Sequence, residues 1–214
     1  MKKKILMFLL VAMLGSSVFA GEITTNISIL GLFGSNTELS SDSEAKMSEA
    51  GIDISMMNFF NGNKIGFYIN TGYGFFTDVT IKDSVGGYSI TIDGKYIEHG
   101  MDLSAVLGLA FQKEFNNNFA IASGIGLQFN QISLVTHEEV GGNSMINYSL
   151  GLGGEIGVKY FITPKFYLTG AWNLAFTPIN FGSKIDGVET ENEAAYFSSR
   201  VFIGIGFRFA EYLR

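Results

Sequence analysis

Cysteine is absent from the 214 residues, proline and histidine occur twice each, and charged residues make up only 16% of the chain. Without cysteine there is no disulfide, although an exported protein could have formed one, and no thiol to carry a lipid anchor. Basic residues are also short, at 14 Lys and Arg against 20 Asp and Glu, and that acidic balance argues against nucleic acid as a partner. Beyond residue 20 no apolar run approaches the ~20 residues of a membrane-spanning helix. What the chain has instead is 47% apolar residues, 20 phenylalanines and 27 glycines. An apolar chain rich in glycine and aromatics, yet without a spanning helix, crosses a membrane only as a closed barrel.

The first twenty residues read as a separate segment. Lys2, Lys3 and Lys4 open it, Ile5 to Leu14 is apolar, and Val18-Phe19-Ala20 precedes Gly21. This is the layout of a cleaved secretory signal peptide over 1–20, which leaves a single domain over 21–214. Its three lysines leave with it and take the formal charge from −6 to −9.

From there the period is two. In "NFAIASGIGLQFNQ", Phe119, Ile121, Ile125, Leu127 and Phe129 share one face, and Ala120, Ala122, Gly124, Gly126, Gln128 and Asn130 share the other. "GLGGEIGVKYF" continues the pattern, with Leu152, Ile156, Val158 and Tyr160 against Gly151, Gly153, Glu155, Gly157 and Lys159. Eight strands follow, over about 22–34, 51–60, 65–81, 97–115, 119–135, 145–161, 166–180 and 196–209. Most match or exceed the ~9–11 residues of a tilted spanning strand. Tight turns at 61–64, 116–118 and 163–165 alternate with longer segments at 36–50, 82–96, 136–144 and 181–195. Asp93-Gly94 is read as a hairpin tip. The fold expected is all-β: an eight-stranded antiparallel up-and-down transmembrane β-barrel, monomeric, with turns periplasmic and loops outside.

Which face points inward follows from charge. The less apolar face carries mostly Gly, Ala, Ser, Asn and Gln, which suit a narrow interior better than a water-facing surface. Aromatics gather near strand ends: Phe115, Phe119, Tyr160, Phe161, Phe166, Phe207 and Phe209 by the turns, and Phe33, Phe75, Phe129, Tyr148, Phe176 and Phe197 by the loops. Two such belts fit two membrane interfaces. Lys113, the main charge on the apolar face, stands beside a turn where it reaches water.

This topology and the terminal strand "FIGIGFRF" resemble the small eight-stranded bacterial outer-membrane barrels, the OmpA transmembrane domain and OmpX type. Gly204, Phe207 and Phe209 match the glycine and alternating aromatics of that family's assembly signal. Phe202 stands where a polar residue is usual, and Ala210 to Arg214 extend past the usual terminal aromatic. The resemblance implies an outer-membrane location and insertion by the barrel-assembly machinery through the C-terminal strand.

The glycine run is not a phosphate loop, because strand alternation continues through it and no helix follows. The G-x-G pairs Gly72/Gly74, Gly124/Gly126, Gly151/Gly153 and Gly204/Gly206 lie on the inferred inner face, where a small barrel needs close approach and curvature. Glu22, Asp53, Asp102, Glu114, Glu155, Lys159, Arg200 and Arg208 share that inner parity. An unpaired buried charge is costly, so they are expected to form a polar network that fills the lumen, with Glu155 on Arg200, Lys159 on Glu114 and Glu22 on Arg208. The outer segments are acidic, with Glu38, Asp42, Glu44 and Glu49 in the first, Glu138 and Glu139 in the third, and Asp186, Glu189, Glu191 and Glu193 in the fourth. His99 and His137 have no metal-ligand spacing, and neither His99 with Ser104 nor His137 with Glu138 forms a lipid-modifying motif. No cofactor and no enzyme activity is expected. The expected role is structural, or surface interaction with an extracellular ligand at the acidic loops. A narrow pore, and then a lipid-modifying enzyme, are the alternatives.

Overall fold

The computed structural model describes residues 21–40, 43–60, 64–83, 87–116, 118–190 and 194–213. The segment read as a signal peptide lies outside them. The strands are β1 (Gly21–Leu39), β2 (Ser43–Phe60), β3 (Ile65–Asp83), β4 (Ser89–Asp93), β5 (Ile97–Asn116), β6 (Phe119–Thr136), β7 (Ser144–Phe161), β8 (Phe166–Ile185), β9 (Val188–Thr190) and β10 (Ala195–Leu213). Eight of them close a ring in the order β1-β2-β3-β5-β6-β7-β8-β10, and β10 pairs back onto β1. Every neighbouring pair is antiparallel. β4 and β9 are short additions to the outer ends of β3 and β8.

Each expected strand is present, and most run further outward than the alternation indicates. β1 and β2 stay in register up to Leu39 opposite Glu44, so most of the expected loop 36–50 is strand. Outside a bilayer the outward face meets water rather than lipid, so polar residues occupy both parities and the sequence signal fades. The backbone still gains by pairing its N–H and C=O groups. Asp93-Gly94 is not a hairpin tip. Gly94–Tyr96 form a 3-10 turn, capped by the Asp93 carboxylate accepting from the Lys95 N–H at 3.1 Å, and this turn links β4 to β5 along the same edge of β3. β3 and β4 pair with each other instead, and the Asp83 N–H donates to the Tyr88 carbonyl at 3.0 Å. Asp186 and Gly187, with φ of 51° and 79°, make the two-residue turn between β8 and β9.

Pro178 marks the largest irregularity. Pairing between β7 and β8 jumps from Leu152–Phe176 to Leu150–Ile179, and pairing of β10 with β8 stops at Thr177. Proline has no N–H to give a ladder, so β8 bulges there and leaves β10.

The two faces divide cleanly. Leu127 is 61% exposed while its neighbour Gln128 is 0% exposed. Asn130, Asn173 and Arg200 are buried as well, and Leu152, Ile156, Trp172 and Ile203 are exposed. A soluble barrel would have this reversed. An apolar exterior around a polar interior has a bilayer as its solvent, and in bacteria the membrane that holds such barrels is the outer one. Phe161 departs from the expected turn-side belt. It is buried, packs on Tyr167 at 5.1 Å between ring centroids, and lies in the lumen.

Candidate functional site

Long side chains project into the lumen, and glycines on nearby strands make room for them. A Cβ on Gly124 would meet the Tyr68 ring, and one on Gly206 the Tyr167 ring. Each of the four G-x-G pairs contributes a floor for a particular long side chain: Gly74 for Glu49, Gly124 for Tyr68, Gly153 for Gln128 and Gly206 for Tyr167. Gly204, by contrast, lies against the backbone of β1.

At the turn end, Arg208 bonds Glu114, donates from Nε to Asn26 Oδ1 at 3.3 Å and stacks over the Phe161 ring at 4.0 Å. Asn26 donates to Gln112, which donates to Glu114. Above this, the Ser28 and Tyr167 hydroxyls lie 3.0 Å apart. Lys159 is buried with Nζ 3.8 Å from Met57 Sδ and 5.3 Å from the centre of the Tyr167 ring.

Glu155 accepts from the Tyr68 hydroxyl at 2.9 Å, Asn70 Nδ2 at 3.4 Å and Ser55 Oγ at 3.5 Å. Asn70 Nδ2 also donates to Asp53 Oδ1 at 2.6 Å. One level further out, Arg200 spans the lumen. Its Nε donates to Glu49 Oε1 at 2.6 Å, one Nη to Asp102 Oδ2 and the other to Ser104 Oγ at 2.8 Å. Asn36 Nδ2 adds a bond to the same Asp102 oxygen at 2.6 Å. Gly34, paired with both Arg200 and Glu49, lets the two approach across β1, because a Cβ there would strike Arg200 itself. An apolar layer caps the column: Met47, Phe76, Val79, Ile132 and Tyr196, with Ile92, Ile97, Leu134 and Met145 against it.

The pairs differ from those expected. Arg200 goes to Glu49 and Asp102 rather than Glu155, and Glu114 goes to Arg208 rather than Lys159. The side chain of Glu22 lies outside the described ones. Parity gave the correct face but not the depth at which long side chains meet. Glu49, assigned by sequence to a loop, is a buried lumen residue. Its signal was available, since it has the same parity as Asp53 four residues later on one strand.

Of the outer acids, Glu38 and Glu44 lie in strands, and Glu44 faces Lys82 at 3.9 Å. Glu138 and Glu139 occupy an exposed 3-10 turn, and Glu189 pairs with Lys184 at 3.4 Å. Asp42, Glu191 and Glu193 lie outside the described residues. His99 is exposed while Ser104 is buried on Arg200, so the two do not meet. His137 Nδ1 stands 3.2 Å from Glu98 rather than on Glu138. Among the described residues no cluster of three acidic or histidine side chains could hold a metal ion, and no helix is long and apolar enough to cross a membrane.

No protein-family model matches the sequence, and no curated protein matches it either. Solved structures do match the fold. Neisserial surface protein A aligns over 89% of this chain and 98% of its own, with a TM-score of 0.54 at 15% identity. A major outer membrane protein from Thermus thermophilus gives 0.56 at 14%, covering 88% and 99%. The outer membrane protein OprG from Pseudomonas aeruginosa gives 0.53 at 15%, covering 89% and 96%. At these identities the likeness is one of fold, and the chain has the fold of the small bacterial outer-membrane barrels it was seen to resemble.

Proposed function

We propose that this outer-membrane barrel is closed to solutes and acts at the cell surface through the outward extensions of its strands. The observation that supports this reading is the succession of side-chain contacts across the lumen, from the Arg208–Glu114 pair through the buried Arg200 cluster to the apolar cap. An eight-stranded interior is wide enough for side chains and little else. β3 with β4, and β8 with β9, carry the sheet past the membrane, where Glu138, Glu139 and Glu189 give the rim an acidic character suited to a cationic ligand. His99 and Ser104 do not meet and His137 lies against Glu98, which removes the support for the two histidine pairings a catalytic reading would use. Fold alone assigns no role, so the reading rests on those lumen contacts. We also propose that residues 1–20 are removed on export and that Gly204, Phe207 and Phe209 present β10 to the assembly machinery.

Conductance of the pure, refolded protein in planar bilayers tests the closed lumen. Absence of steady current is expected, and reproducible channel steps would establish the pore alternative. Removal of the β8–β9 hairpin is expected to leave the fold intact and to abolish ligand capture at the surface.

A further inference from the structure

The apolar cap does not end in a polar surface. Val79 and Ile92, paired across β3 and β4, belong to it, and the next pair outward on the same face is Ile81 with Ile90. Ladder register carries that row sideways: Glu38 of β1 stands opposite Ala45 of β2, and Ala45 opposite Ile81. A second row starts from Leu134 and Met145, which also pack on the cap, and continues through Ile185 of β8 to Val188 of β9. Asn147 and Ser183, paired just below that row on the same face, are buried, so the row faces the barrel axis.

Two apolar walls thus rise from one floor. Ile81 is 39% exposed, Ile185 46%, Ile90 56% and Val188 65%, although their face is the lumen's and not the lipid's. Water therefore reaches four branched apolar side chains at the outer mouth, where a merely solvated surface would carry polar ones. Charge is sorted by face in the same segments. At the outer ends of β1, β2, β3 and β8 the charges with the parity of the mouth are Glu38 and Asp83, whereas Lys46, Lys82 and Lys184 have the other parity. A molecule seated in the mouth meets apolar side chains at depth and carboxylates at the rim, and no ammonium from these strands.

We propose that the outer mouth binds a cationic amphiphile with a single alkyl chain, the chain against the Ile81–Ile90 and Ile185–Val188 pairs and the ammonium at Glu38 and Asp83. This names the ligand class for the acidic rim, and it rests on the surface role proposed above. An eight-stranded ring leaves width for one small ligand, which suits one chain and not two. The same carboxylates repel a fatty acid or an anionic lipid. The cap below stops the chain, so the site needs no passage through the lumen.

The test is NMR of isoleucine methyls in the refolded barrel, held in phosphatidylcholine nanodiscs and titrated with octyltrimethylammonium, tetramethylammonium or octyl sulfate. The Ile81, Ile90 and Ile185 methyls should shift saturably with octyltrimethylammonium, while those of lipid-facing Ile125 and Ile156 move only in proportion to added probe. Ile81→Gln with Ile90→Gln, at exposed positions, should weaken binding about tenfold. Octyl sulfate should bind more weakly than the ammonium, and Glu38→Gln with Asp83→Asn should remove that difference. Tetramethylammonium binding as tightly as the alkyl probe would overturn the proposal and leave the acidic rim as a plain cation site. Failure of both cations to bind would remove the rim reading as well. Equal affinity for the two alkyl probes, or no effect of the glutamine pair, would also overturn it. So would mouth shifts that follow protein concentration alone, which would put a second copy there. Should the glutamine pair fail to refold, Val188→Gln on the exposed β9 probes the other wall, and unchanged affinity there refutes the site.

Discussion

Replacing Arg200 by Met gives the sharpest test of how the lumen is held together. The guanidinium is 3% exposed and reaches two carboxylates, Glu49 and Asp102, whose side chains are both 0% exposed, as well as the Ser104 hydroxyl. Methionine keeps most of the apolar stem but removes every donor. Two carboxylates then remain in a dry interior with only the Asn36 amide between them. Breaking a buried pair by deleting one partner costs about 3–5 kcal/mol, most of it the desolvation of the charge left behind. For a chain of this size each kcal/mol moves the midpoint by about 2–4 °C, so a fall of roughly 6–20 °C is expected. Heat-dependent gel migration in detergent reports it. The triple variant Arg200→Met, Glu49→Gln, Asp102→Asn separates lost attraction from stranded charge, because it removes the ions together. It should recover most of the loss. A single variant within ~1 kcal/mol of the parent, or a triple variant no better than the single, would refute the reasoning.

Two further outcomes concern the outer face. Trp172, the one tryptophan, is 49% exposed on β8 with its indole N–H donating to Ser199 Oγ at 3.1 Å; its emission should be quenched by brominated acyl chains and little affected by acrylamide, and the opposite pattern would place that face in water. Ile125→Arg should cost about 2–4 kcal/mol as a charge set toward the middle of the lipid, while Val188→Arg on β9 should stay within about 0.5 kcal/mol; equal costs in urea titrations would argue against a bilayer around β6.

Period-two alternation located the ring strands because one of their faces meets lipid, and a lipid face tolerates almost no polar residue. β6 and β7 were legible nearly to their ends for that reason. The segment from Ser43 to Ala50 was not. Its outward face meets water rather than lipid, so Glu44, Lys46 and Ser48 stand where apolar residues would otherwise mark the parity, although Met47 and Glu49 face inside. The turn at 163–165 was readable from Thr163 and Pro164, while those expected at 61–64 and 116–118 fall largely outside the described residues. The outer tips were not readable, because a 3-10 turn at Asp93-Gly94 and a hairpin tip draw on the same residues. Charged residues such as Asp53, Glu155 and Arg200 could be placed in the lumen by parity. Their partners depend on strand register and side-chain reach, which alternation within one strand does not contain.

The seam between β1 and β10 has a kinetic consequence. All 19 residues of β1, from Gly21 to Leu39, pair with the last strand, so the ladder that closes the ring joins the two ends of the barrel sequence. No part of the chain can finish the cylinder before the last strand is in hand, and until then β1 and its current neighbour both present open edges. Closure is therefore late and all-or-none. A chain shortened by one strand has no smaller barrel to settle into, and would remain an open sheet with an apolar face and two unpaired borders.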